Sequence, residues 1–200
     1  DYHQWIEPEG EGWLLRNYDG VDLRFGPIVD GGAALHRGRR LLLRRRGSKF
    51  ELLEIESREA RAYETLGMGG PAWLQSVTDR YGNRLTFHYE GRSLAQVTDT
   101  AGRAISFRLD DKQRIAAIDV AVTPLDDARS AVKTYRLATY GYSPLGELEA
   151  IADALGQSVR YAYDGKHRVV EKRMRNGFTI RYEYEPIYGR AVRTWGDGGY

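Results

Sequence analysis

The sequence contains no cysteine, two methionines and six prolines among 200 residues. Without cysteine there is no disulfide scaffold, no thiolate zinc site and no cysteine nucleophile. Aliphatic runs such as Leu41 to Leu43 fall far short of the roughly 20 residues of a membrane span, and no apolar leader follows the first residues. A surplus of one charge is also missing: 30 Lys+Arg stand against 28 Asp+Glu, too balanced for a dedicated nucleic-acid binder. Core formers are not lacking, since 42% hydrophobic and 29% charged residues exclude a disordered tail and the length suits one domain with a sizeable core. Starting at Asp1 without methionine and stopping at Tyr200, the chain reads as a piece of something longer.

What is abundant points to sheet. Fourteen Tyr, five Phe, four Trp and 23 Gly suit pleated strands broken by tight turns. Helix is scarce. The segment from Leu52 to Leu66 could be drawn as an amphipathic helix, but the alternation at Ile55/Ser57 and Ala60/Ala62 fits two short strands, and we read it so.

A period of about twenty residues organises the chain. Leu74, Val77, Asp79, Gly82, Leu85, Phe87 and Tyr89 align, shifted by twenty, with Leu94, Val97, Asp99, Gly102, Ile105, Phe107 and Leu109. The frame returns at Leu148, Ile151, Asp153, Gly156, Val159, Tyr161 and Tyr163, and in degraded form at Val169, Gly177, Ile180, Tyr182 and Tyr184, with Met174 in place of the aspartate. Aspartate three residues before glycine is a turn signature: its carboxylate accepts backbone N–H groups ahead, and glycine takes the positive φ. After the glycine, apolar and polar residues alternate as in a strand with one buried face. Each unit is therefore a β-hairpin, and since an isolated hairpin is marginal, units must pair edge to edge into one continuous sheet.

This reading assigns 1–70 to a lead-in β region and 71–200 to repeats, with clean units near 74–93, 94–114, 148–168 and 169–186. An irregular insertion occupies 119–133. Ile115 to Val122 and Val132 to Tyr142 read as strands flanking an excursion at 123–130.

The frame resembles the tyrosine-aspartate (YD) repeats of the Rhs family. The resemblance rests on Tyr161-Ala-Tyr163-Asp164-Gly165, on the stretch from Leu85 to Gly91, and on the Val77/Asp79/Gly82 and Val97/Asp99/Gly102 turns. The opening Trp13-Leu-Leu-Arg-Asn17-Tyr-Asp19-Gly20 and the terminal Arg193-Thr-Trp195-Gly196-Asp197-Gly198-Gly199 resemble other phrases of that family. It departs where Glu90, Asp110, Ser143 and Glu185 follow the second strand and where Met174 stands, which should weaken those single turns. The resemblance implies an all-β fold of antiparallel hairpins stacked into a curved spiral sheet, part of a hollow cocoon that encloses a C-terminal toxin domain, often for type VI secretion. Implied partners are the rest of the shell, the enclosed toxin and a secretion spike protein. Assembly in the bacterial cytoplasm followed by export is implied as well. The alternative is a cell-surface module that binds carbohydrate or another ligand, with Trp73 or Trp195 as stacking platforms.

Candidate sites for chemistry are sparse, and no catalytic, cofactor-binding or metal residue is assigned. His3, His36, His88 and His167 are scattered without a His-x-x-x-His pair and read as surface or packing residues, His88 on a polar strand face. Asp110-Asp111 and Asp126-Asp127 are neighbours whose side chains diverge, hence solvated turn residues. Asp79, Asp99 and Asp153 lack the tighter ligand spacing of calcium-binding β-rolls. Gly67-Met-Gly69-Gly70-Pro71 is no phosphate loop, because no Lys-Ser/Thr follows and proline removes an N–H. Ser93, Ser106 and Ser158 belong to no nucleophile elbow. The basic run from His36 to Lys49, with seven cations and no acid, could hold an anion. We read it instead as a strand at Leu41 to Leu43 whose flanking charges are solvated and discourage edge pairing.

Overall fold

The computed structural model describes residues 4–17, 20–66, 70–122 and 132–199. Among them are eighteen strands, a single 3-10 turn at Arg37–Arg39 and no α-helix. The pairings within each of two compact units, Asp1–Ala104 and Ile105–Tyr200, are antiparallel between strands. The expected fold class, antiparallel hairpins set beside their sequence neighbours, is what the chain adopts.

The first unit holds β1 (Trp5–Glu9), β2 (Gly12–Arg16), β3 (Leu23–Phe25), β4 (Ala33–His36), β5 (Leu41–Arg46), β6 (Lys49–Glu54), β7 (Ala60–Thr65), β8 (Ala72–Thr78), β9 (Arg84–Glu90) and β10 (Ser93–Asp99). Strands β4 to β8 form a meander. The far edge of β8 then branches: Ala72 and Trp73 pair with β1, while Ser76 to Thr78 pair with β9. Since β1 also pairs with β2, and β2 with β3, the branch folds sheet over sheet. Period-two alternation turns Leu41 and Leu43, Phe50 and Leu52, and Leu74 inward, where they join Ile6, Leu15, Phe25, Ile28, Tyr63 and Phe87 in one core. Each fully buried aliphatic there contributes roughly 1.5–3 kcal/mol. Buried polar groups are satisfied: Tyr63 Oη donates to Gln4 Oε1 (2.9 Å), and Gln4 Nε2 donates to Asn17 Oδ1 (2.9 Å). Gly12 is a close approach, for a Cβ there would lie 2.3 Å from the carbonyl oxygen of Phe25.

The second unit is reached along β11 (Ala104–Leu109). It continues as β12 (Ile115–Val122), β13 (Lys133–Tyr142), β14 (Leu148–Asp153), β15 (Ser158–Tyr163), β16 (Val169–Arg173), β17 (Thr179–Tyr184) and β18 (Ala191–Gly196). From β12 onward each strand pairs with the next. Register sets Tyr140, Ile151 and Val159 on one face, with Lys172 facing both Tyr161 and Ile180, and puts Arg160, Arg173, Glu171 and Arg181 on the other. Among its described residues the one buried hydrophobic is Ala117. This unit is a single layer held by its ladders and turns rather than by a core.

Three local expectations change. Ile55 to Ser57 do not alternate as strand but form the turn between β6 and β7, closed by Arg58 N–H to Glu54 O (2.9 Å) with Arg58 at φ +56°. The expected insertion at 119–133 shrinks, because residues 119–122 complete β12 and Lys133 opens β13; 123–131, with Asp126-Asp127, lie outside the described residues. The basic run is no edge strand: β5 extends to Arg46 and is flanked by β4 and β6. Its cations find acids on neighbouring elements, Arg44 with Glu51 (3.0 Å) and Arg40 with Glu56 (2.6 Å), while Arg45 stacks 4.9 Å over Trp13. Those partners lie outside the run itself, so the run taken alone shows no acid beside its cations. Residues 1–3, with His3, also fall outside the described part, as do 18–19, 67–69 and 200.

Candidate functional site

The feature that recurs is a turn at each end of each hairpin and a tyrosine clip at its open end. At the first turn, Asp79 Oδ1 accepts the backbone N–H groups of Tyr81 (2.8 Å) and Asn83 (2.9 Å). Asp99 does the same for Ala101 and Arg103, and Asp153 for Leu155 and Gln157, at 2.9–3.0 Å. Gly82, Gly102 and Gly156 sit at φ +88°, +77° and +78°, each donating its N–H to the aspartate carbonyl. Only glycine enters this region without cost. The Met174 turn keeps the same backbone bonds, with Gly177 at φ +85° and Asn176 Oδ1 taking over as acceptor for Phe178 N–H (3.1 Å).

The second turn repeats the device. Asp110 Oδ1 accepts Lys112 and Arg114 N–H (both 2.9 Å), and Asp164 Oδ1 accepts Lys166 (2.8 Å) and Arg168 (3.0 Å). Ser143 Oγ accepts Glu147 N–H (3.1 Å), and Glu185 accepts Ile187 (2.9 Å) and Tyr188 (2.5 Å). The departures at Asp110, Ser143 and Glu185 therefore keep the turn acceptor. Arginine four residues on adds a charge pair: Arg114 to Asp110 (2.7 Å) and Arg168 to Asp164 (2.6 Å), matched at the first turn by Arg103 to Asp99 (2.6 Å). The Arg168 guanidinium, aided by backbone N–H groups, holds the Asp164 carboxyl down at about 2. Asp79 is lowered chiefly by the Asn83 side chain, Asp99 by Arg103, and Asp110 by the backbone and side chain of Arg114.

The clip closes the other end. Tyr89 Oη donates to Leu74 O (2.7 Å), Tyr163 to Leu148 O (2.8 Å) and Tyr184 to Val169 O (2.8 Å), each fifteen residues back. Tyr142 Oη donates to Ile115 O (2.9 Å) across the longer hairpin. The stretch 115–142 is thus a further repeat unit, invisible as such in the sequence because a longer stretch of chain separates its two strands. A β-bulge precedes the tyrosine at Gly141/Tyr142, Ala162/Tyr163 and Glu183/Tyr184, re-aiming the ring toward its carbonyl. Arg114 lies 4.0 Å over the Tyr142 ring and Arg168 4.6 Å over that of Tyr184, so one guanidinium joins a turn aspartate to the following clip. Burial lifts the Tyr89 hydroxyl to about 12, and the clip keeps its proton at ordinary pH. Sequence reasoning missed the arginines, although Asp-x-x-x-Arg followed by Ile or Val was there to be noticed.

The remaining predicted aromatics occupy the strand face before the clip: Phe87 is buried, while Phe107, Tyr161 and Tyr182 are half-buried. Lys172 Nζ lies 5.8 Å from the Tyr161 ring. Asp119, buried in β12, is held between Arg108 of β11 (2.7 Å) and Arg136 of β13, which keep its carboxyl below the usual range.

Nothing in this arrangement gathers reactive groups. His36 caps the 3-10 turn through its Nδ1, His88 is exposed, and His167 meets Glu147 (2.8 Å) on an exposed turn. Asp79 and Asp99 line an open cleft of about 510 Å³ with Asn83, Arg84 and Arg103, their oxygens taken by the turns. No three metal-ligating side chains cluster among the described residues. Trp73 is no open platform either, being half-buried against Trp5 (5.3 Å) and Tyr89 (6.2 Å), and Trp195 lies half-buried with Arg193 over its ring (5.0 Å). No helix among the described residues is long and apolar enough to cross a membrane.

A family model described as RHS Repeat matches residues 142–179, the stretch from the Tyr142 clip through the Asp153 and Asp164 turns. The toxin protein Tse5 of Pseudomonas aeruginosa is 32% identical over 143 residues, covering 63% of this chain and 11% of Tse5. The solved Tc holotoxin pore of Photorhabdus luminescens with mutant TccC3 superposes at a TM-score of 0.50 and 12% identity, over 97% of this chain and 10% of that one. At that identity the likeness concerns the fold. The chain spans about a tenth of the length of either relative. The hairpin frame, the repeat matched over 142–179 and the Tse5 relative together support the Rhs/YD-repeat family.

Proposed function

We propose that this chain is a non-catalytic wall segment of an Rhs-type toxin shell that encloses a C-terminal toxin domain for delivery by type VI secretion. One observation carries the reading: in the second unit each hairpin is closed by its own tyrosine clip, so sheet is added strand by strand without a hydrophobic core among the described residues. Such a sheet can extend to any length and is suited to bounding a space. In this reading 1–70 is the lead-in, 71–200 are repeats, and the partners are the rest of the shell, its toxin and a secretion spike protein. Assembly takes place in the cytoplasm before export.

The test is limited proteolysis of the complete protein that carries this segment. The C-terminal domain should survive protease that digests the same domain expressed alone, and a Tyr163→Phe/Tyr184→Phe variant should shorten that survival. Equal cleavage of the domain in both settings would overturn the enclosure.

A further inference from the structure

We infer that the seam between β15 and β16 carries a binding site for a doubly charged oxyanion, a phosphate or sulfate group, held by Arg160, Arg173 and Arg175. Register brings two of these cations together: Arg160 of β15 stands directly opposite Arg173 of β16. The place is defined by the repeat, as the residue three before the clip tyrosine set against the residue just before the next turn. At the other seams it holds Thr86 opposite Thr98, Thr139 opposite Ala152, and Arg181 opposite Trp195. Of these four seams, two cations meet at β15–β16 alone. Like charges directly opposite one another on a sheet face are destabilising, and such a cost, kept at one seam, points to a ligand that removes it.

The acids nearby do not settle the charge. Where Asp79, Asp99 and Asp153 open the turns of the clean units, Met174 opens this one. The Arg173 side chain has no acid or other acceptor among the described residues, and Arg160 Nε reaches only Ser158 Oγ, at 3.4 Å. Arg175 has one partner, Asp153 Oδ2 at 3.3 Å. Glu171, on the same face two residues before Arg173, is engaged by Arg181 (3.4 Å). Cations are therefore in excess, and they surround a concavity: the three arginines, Ser158, Met174 and Gly177 line an open recess of about 210 Å³. Arg160 and Arg173 are exposed, so a ligand enters from solvent. Guanidinium forks present paired N–H donors that match the oxygens of phosphate or sulfate, and Ser158 adds a hydroxyl donor. An anion seated there accepts from both strands at once. It cancels the Arg160–Arg173 repulsion and ties the last strand of one hairpin to the first strand of the next. Two facing cations favour a dianion over a single negative charge.

The site is complete within one seam and needs no enclosed cargo, so a failure of anion binding and a failure of protease protection are separate results. The test titrates the full chain with inorganic phosphate and with sulfate at about pH 8, where both are mostly dianions, and follows amide and arginine Nε–H NMR signals. Saturable shifts centred on residues 158–160 and 173–177 are expected from both, and none that saturate from chloride or acetate at matched ionic strength. Arg173→Gln should weaken phosphate about 3- to 20-fold, the loss of one charged donor. The variant Arg160→Thr/Arg173→Thr installs the threonine pair of the β9–β10 seam and keeps the test independent of folding. Without anion its β15–β16 amides should exchange with solvent no faster than those of the wild type, while phosphate should slow that exchange in the wild type and not in the variant. A response that does not saturate, equal binding of acetate, shifts centred on other residues, or an undiminished phosphate effect in the double variant would overturn the proposal.

Discussion

At the scale of single residues, the turns separate conformational cost from contact. Gly156 stands at φ +78° with nothing within 4 Å of where a Cβ would be. Gly156→Ala therefore meets no clash, and its cost, about 1–2 kcal/mol, is that of forcing an L-residue into the left-handed region. Amide hydrogen exchange in the β14–β15 ladder should show that loss as faster exchange, with exchange in the first unit unchanged. The turn aspartates make a second prediction, about pH. Asp164 has a folded pKa of about 2 against an ordinary 3.8, so the ionised form is favoured in the folded chain. A depressed carboxyl contributes stability that is complete above the unfolded value and lost as pH falls through the folded one. The wild type should thus lose its advantage over Asp164→Asn between about pH 4 and pH 2. A gap between the two that stays constant across that window would sink the assignment.

At the scale of elements, the clip and the buried charge tie strands together differently. Tyr163→Phe removes one hydroxyl-to-carbonyl bond at the hairpin mouth and should cost about 0.5–1.5 kcal/mol in urea unfolding. Asp119 works across three strands, and Asp119→Ala would leave Arg108 and Arg136 without their shared acceptor. Both arginines keep solvent access, at 66% and 41% exposure, which limits the loss to about 1–3 kcal/mol. How legible these elements were depends on the range of the interaction. Asp79, Gly82, Asp99 and Gly102 act within five residues, and their spacing reveals the turn directly. The 115–142 hairpin is hidden because the longer stretch between β12 and β13 breaks the period, although its clip is intact. Arg44 is solvated as the run suggests, but the partners of Arg44 and Arg45, Glu51 and Trp13, come from other strands, and a linear run of like charge carries no record of what folds beside it.

At the scale of the whole molecule, the repeat frame running from Leu74 through both units conceals two ways of being stable. The first unit gathers its buried cluster, from Ile6 to Phe87, between sheets that branch at β8. The second, among its described residues, buries Ala117 and otherwise relies on ladders, clips and turns. Composition could not distinguish them, because Phe87 and Phe107 hold the same place in the frame; Phe87 is buried in the cluster with Ile6, Leu43 and Leu74, and Phe107 is not. Hydrophobic burial makes unfolding cooperative, whereas a one-layer array is a sum of hairpins and nearest-neighbour terms, each marginal alone. Expressed separately, residues 1–104 should unfold in one sharp urea transition with an m-value of at least about 1 kcal/mol/M. Residues 105–200 should lose strand signal gradually, with amide exchange protection confined to the central β14–β17 ladders. Cooperativity follows the buried core, so a sharp transition in the second fragment, or a gradual one in the first, would contradict this account.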